Sequence, residues 1–205
     1  TDTVSGTTTE TVLRVAATQV AAFLGTGRRT ADAVGVEISD GSFGMVLSKT
    51  VDTAPGALPA ESTYALTASG SAALVGVEGL TVAGTLAARL NTTGGAVNET
   101  ITTPGGDVDI VFAADEGDFQ RVEGTVDLDI FGFVAVSGEF SFEKTEATSG
   151  TVTDTEIRVA ATNVEAFVGA AGGTADATGV QVSDGELGLV LFKSVDAAAP
   201  AGSSA

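Results

Sequence analysis

Apolar and polar residues alternate with a period of two along most of the chain, and a helical period is almost absent. Leu66, Ala68, Gly70, Ala72 and Leu74 share one side, with Thr67, Ser69 and Ser71 on the other. Leu80, Val82, Gly84, Leu86, Ala88 and Leu90 repeat the pattern against Thr81, Thr85 and Arg89. Side chains of a strand point alternately to its two faces, so each run predicts a strand with one apolar and one polar face. The short Gly76-Val77-Glu78-Gly79 connection makes the two a hairpin. Val122, Gly124, Val126, Leu128 and Ile130 predict the next apolar face, opposed by Glu123, Thr125, Asp127 and Asp129. Val134, Val136, Gly138, Phe140 and Phe142 follow after the tight Phe131-Gly132-Phe133 turn. Each hairpin is expected to be long and half-buried through its apolar side.

The first segment follows the same plan with a defect in each strand. Leu13, Val15 and Ala17 share a face that Val20, Ala22 and Leu24 continue only if one extra residue is inserted near Thr18-Gln19. Val36 and Ile38 are continued by Phe43, Met45 and Leu47 only across Ser39-Asp40-Gly41. An inserted residue that preserves the apolar face predicts a β-bulge, and Asp-Gly suits the left-handed backbone that bulges often need. Shorter strands are expected at Val97–Ile101 and Val108–Ala113. The segments 53–62, 91–95 and 102–106 have turn composition. The expectation is about eight strands within residues 1–144, six long and two short, in an all-β antiparallel sandwich, barrel or curved continuous sheet.

The pattern also repeats at long range. Residues 1–61 align without a gap to residues 145–205 at an offset of 144, and 32 of these 61 positions are identical. A fixed period means one structural unit in tandem, here a complete repeat at 1–144 and a partial second copy at 145–205. Within the first unit the expected hairpins lie at about 12–48, 63–91 and 118–144, a threefold echo of strand, turn, strand. The second arms carry glycine on the apolar side at Gly41, Gly84 and Gly138. Such glycines weaken a strand, so they are expected either to admit a large side chain from a facing sheet or to let the sheet coil. The chain reads as a window onto a longer polymer of such units.

Composition narrows the function classes. The chain has 43% hydrophobic residues, enough for a core, and 9 basic against 27 acidic residues, a net charge of -18. Phosphate backbones need clustered Lys and Arg, so nucleic acid is not an expected partner, and the charge favours solubility and repulsion between crowded chains. There is no Cys, His or Trp, which removes thiolate and imidazole chemistry and the usual zinc and haem ligands. No apolar run reaches the length of a membrane helix.

Calcium is the sharpest chemical candidate. Asp107, Asp109, Asp115, Glu116 and Asp118 cluster within twelve residues, and a hard cation takes six to eight oxygens from such loops. Their spacing matches neither an EF-hand nor the glycine-aspartate nonapeptide of calcium-binding β-rolls. The repeated pairs Asp32/Asp176 and Asp40/Asp184 are read as loop and turn residues. Asp127 and Asp129 lie on one polar strand face with no aromatic platform and nothing to raise one proton affinity over the other, so no catalytic residues are assigned. Asn91 and Asn98 each open a glycosylation triplet.

The strings VAATQVAAFLG, YALTASGSAALVG, GLTVAGTLAARLNTTG, VNETITTPGG and GFVAVSGEFSFEK resemble the tandem repeats of very large secreted or surface proteins of environmental bacteria. The resemblance implies export, many tandem copies, and a role as adhesin stalk, matrix fibre or surface filament. It brings no catalytic residue. The expected function is therefore an extracellular structural repeat whose partners are neighbouring copies of itself. The alternative is an adhesin or binding module, calcium-rigidified or presenting the 115–118 loop to a glycan or another cell.

Overall fold

A computed structural model describes residues 1–198, so most of the Pro-rich segment 197–205 lies outside the described residues. The strands are β1 (Asp2–Ser5), β2 (Thr8–Thr26), β3 (Val34–Asp52), β4 (Glu61–Val75), β5 (Leu80–Asn91), β6 (Val97–Thr103), β7 (Gly106–Phe112), β8 (Phe119–Ile130), β9 (Val134–Ser149), β10 (Val152–Ala170) and β11 (Thr178–Asp196). A single 3-10 turn, Ala114–Glu116, follows β7. Nine strands form one antiparallel sheet in the order β1-β2-β3-β4-β5-β8-β9-β10-β11, and β6 pairs only with β7. The sheet is not closed into a barrel, so of the three all-β architectures the continuous sheet is the one formed.

The turns and bulges follow from local chemistry. Phe131 and Gly132 both take positive φ, 52° and 65°, which gives the tight hairpin turn whose twist matches the flanking strands. The predicted bulges are present: the β2–β3 register shifts on either side of Val20, and the β3–β4 register shifts between Ser39 and Ser42. Gln19 and Asp40 carry the strained positions, φ 55° and 53°, and their equivalents Asn163 and Asp184 take 51° and 53°. Structure therefore repeats with sequence. β10 and β11 are β2 and β3 displaced by 144 residues, and Val152↔Asp196 in one hairpin matches Thr8↔Asp52 in the other.

The packing departs from the expected half-buried hairpins. Residues opposite one another share a face, and Ala17, Phe43, Ala68, Ala88, Val122, Phe142, Val159 and Leu189 form one unbroken apolar row across eight strands. No second layer covers that face among the described residues. Leu86 is 56% exposed and Leu187 59%, and Val82, Val126, Phe140 and Phe142 are also exposed. The buried core lies instead on the polar face, where the β6–β7 hairpin sits: Ala65, Ile110, Phe112 and Phe119 are buried together, with Val46, Val97 and Ile101 against them. The glycines of the apolar face make room for backbone, not for a facing sheet. A Cβ on Gly84 would meet the carbonyl oxygen of Thr125, and one on Gly124 that of Thr85.

Candidate functional site: the copy junction, the clasped face and the open edges

The two copies join through an ordinary strand pair. β9 and β10 are linked by Gly150-Thr151, with Gly150 at φ 63°, and pair from Val152↔Ser149 to Val168↔Val134. The short β1–β2 pairing has the same register moved by 144 residues, since Asp2↔Thr11 corresponds to Glu146↔Thr155. Nothing in the ladder marks the boundary between units. Three β9 glutamates reinforce it, Glu139 and Glu143 on the polar face and Glu146 on the other. Glu139 accepts from Thr162 Oγ1 and Asn163 Nδ2, both at 3.2 Å. Glu143 accepts from Arg158 at 2.6 Å and faces Arg121 at 3.9 Å. Glu146 accepts from Thr155 at 3.1 Å and pairs with Lys144 at 3.1 Å, and these donors, Lys144 first, hold its carboxyl below the ordinary value.

The β6–β7 hairpin clasps the first copy. Arg14 Nε and Nη2 donate to Glu99 at 3.0 and 2.7 Å, a two-pronged pair that keeps Glu99 ionised to lower pH than usual. Thr18 shares a 2.7 Å hydroxyl contact with Thr103. Below the hairpin Gly44 supplies clearance, because a Cβ there would lie 2.6 Å from Val108 Cγ1 and 3.1 Å from Ile110 Cγ1. Behind it Arg89 lies over the rings of Phe112 and Phe119, at 4.7 and 5.3 Å from their centroids. The guanidinium also donates to Glu116 at 2.9 Å and to the Val111 carbonyl at 2.7 Å.

Two carboxylates of the acidic cluster, Glu116 and Asp109, are engaged here. Burial alone would raise the Glu116 carboxyl, but the Arg89 hydrogen bond, the Ala113 N–H at 2.8 Å and the Arg89 and Arg121 charges outweigh it and hold it low. Asp109 accepts from Thr100 at 2.7 Å across the hairpin, opposite its own register partner. Asp107 lies opposite Thr102, Asp115 lies in the 3-10 turn, and the Asp118 carbonyl accepts from Glu146 N–H at 3.0 Å. Among the described residues no group of three or more acidic side chains is arranged to share a metal ion. Asp129 accepts from the Gly132 N–H at 3.0 Å and so closes the β8–β9 turn.

Asn91 is the residue whose role the spacing concealed. Its side chain is 1% exposed, and Nδ2 donates to the carbonyls of Gly95 and Glu116 at 2.8 and 2.7 Å. Oδ1 accepts from Thr93 N–H and Oγ1, so a glycan has no access to it in the folded chain. Asn98 remains exposed on β6.

Both ends of the sheet are open among the described residues. β1 covers β2 only from Thr8 to Thr11, with Val12 N–H donating to the Thr1 carbonyl just beyond. β11 has β10 on one side and nothing on the other, whereas its equivalent β3 is paired on both sides. No helix of the described residues is long and apolar enough to cross a membrane. No protein-family model matches the chain, and neither a curated protein nor a solved structure is detectably similar to it.

Proposed function

We propose that the protein is an extracellular structural repeat, in which tandem β units merge edge to edge into one sheet that forms a rod, stalk or filament. The observation that carries this reading is the β9–β10 junction. It pairs two copies through a ladder as long as those inside a unit, and β1–β2 repeats its register. Independent domains meet through linkers and small, polar interfaces, and such strings are flexible. A hydrogen-bonded strand pair at the boundary leaves no hinge.

The mechanism is mechanical. Load along the rod runs across the strands and is borne by the inter-strand hydrogen-bond ladders, and the excess of acidic residues keeps neighbouring fibres apart. Between β3 and its copy β11 the sheet adds six strands. At a strand spacing of about 4.8 Å, each repeat lengthens the rod by roughly 29 Å. Electron microscopy of a chain carrying several repeats is expected to show stiff, continuous rods with that increment per repeat. Flexible strings of separate beads would contradict the proposal.

A further inference from the structure

Two copies of the same strand pair sit in one sheet with four strands between them, one clasped and one bare, and the comparison identifies what the bare one is shaped to receive. We infer that the polar face and outer edge of β10–β11 are a docking surface for a second β4-to-β7 segment of the same repeat. Its first strand would pair with β11 as β4 pairs with β3, and its hairpin would lie across Gly188. This inference rests on the proposed tandem function and names how successive units interlock.

Gly188 is the equivalent of Gly44. Gly44 is buried under Val108 and Ile110, with no space for a Cβ, whereas Gly188 has no heavy atom within 4 Å of where its Cβ would be. A glycine in a strand interior weakens the strand, and nothing now above Gly188 requires one. Val190 tells the same story: its equivalent Val46 packs against the hairpin core, while Val190 is 48% exposed. Thr162 keeps the hydroxyl with which Thr18 meets Thr103, and Arg158 keeps the guanidinium with which Arg14 holds Glu99. In the bare copy these two turn to Glu139 and Glu143.

The edge is also shaped in advance. The β3–β4 pairing has a register shift between Ser39 and Ser42, centred on Asp40 at φ 53°. β11 holds Asp184 at φ 53° in the bulge it makes against β10 between Val164 and Ala166, so the same bulge is presented on its unpaired side. β4 meets that bulge as an uninterrupted strand, with Gly70 alone opposite Asp40 and Gly41, and a second β4-type strand brings the same glycine to Asp184 and Gly185, which favours it over an arbitrary extended peptide. Substituting a β4-type strand into the β3–β4 register places its Ala65 equivalent opposite Val190, as Ala65 lies opposite Val46.

The test uses two proteins: the 205-residue chain, and the same chain followed by a second copy of residues 62–144. In the 205-residue chain, Gly44→Val is expected to lower the melting temperature and expose the β6–β7 amides to hydrogen exchange, while Gly188→Val leaves both unchanged or raises the melting temperature. In the extended chain, β11 amides should become at least 100-fold more protected than in the short one. There Gly188→Val, and more mildly Gly188→Ala, should release protection in the second hairpin but not the first. β11 amides that exchange equally fast in both chains, or a second hairpin indifferent to Gly188→Val, would overturn the inference. Microscopy of the same extended chain separates the two proposals. Beads with a Gly188-dependent second hairpin would refute the rod alone, and rods with a Gly188-independent one would refute the docking surface alone.

Discussion

Asn91 shows how much of the stability of this protein rests on single polar side chains. It is buried beside apolar residues and satisfies the Glu116 and Gly95 carbonyls and the Thr93 N–H, of which only the Gly95 carbonyl has a second donor, Thr93 Oγ1 at 3.2 Å. Asn91→Ala should therefore cost about 2–3 kcal/mol, since each buried group left unpaired carries its own desolvation penalty. A thermal melt showing no shift would contradict this. The acidic residues predict a pH dependence. Glu99, Glu116 and Glu146 have carboxyl groups held below their ordinary value of 4.5 in the folded chain. Their stabilising contribution is complete above about 4.5 and is lost as pH falls through the lower folded values. The urea midpoint should accordingly drop between about pH 5 and pH 3, and Glu116→Gln should shrink the drop. At this scale the sequence was least legible. The Glu116 carbonyl that Asn91 holds comes from 25 residues away, so local spacing read only a turn and a glycosylation triplet.

At the level of strands and turns, alternation carried far more information. Each bulge was visible because an inserted residue moves every later side chain to the other face unless the backbone absorbs it, and the apolar pattern resumed intact after Ser39-Asp40-Gly41. Asp40 absorbs it at φ 53°. Asp40→Gly should be neutral or slightly stabilising, whereas Asp40→Val should destabilise by about 1–2 kcal/mol because a β-branched side chain resists that conformation. Equal melting temperatures for the two variants would disprove the strain. The short strands β6 and β7 were also expected, but their destination was not. Val108, Ile110 and Phe112 alternate as any strand with one apolar face would, and alternation does not say which surface that face will meet. Gly44 and Ala65 decide it, because two small residues on neighbouring strands leave a hollow on the otherwise polar face.

Across the whole molecule the exposed apolar face has the most direct experimental signature. A shallow groove on it is lined by Val36, Ala72, Leu74, Val82, Leu86 and Val126, and the apolar row beside it spans eight strands. A patch of this extent is rare on a soluble monomer. The native chain is therefore expected to enhance the fluorescence of an apolar dye such as ANS well below its unfolding temperature, and Leu86→Glu should weaken that signal without changing the strand content seen by circular dichroism. No enhancement would mean the face is covered in solution. The all-β class, the strand pairs within the three hairpins, the bulges and the 144-residue period follow from sequence alone, since alternation, turn chemistry and self-similarity are local or exactly repeated signals. That the sheet stays open, that the core forms on the polar face under a hairpin, and that the unit boundary is an unbroken strand pair were decided only in three dimensions. Those outcomes depend on which strands become neighbours and on where small side chains from distant segments leave room.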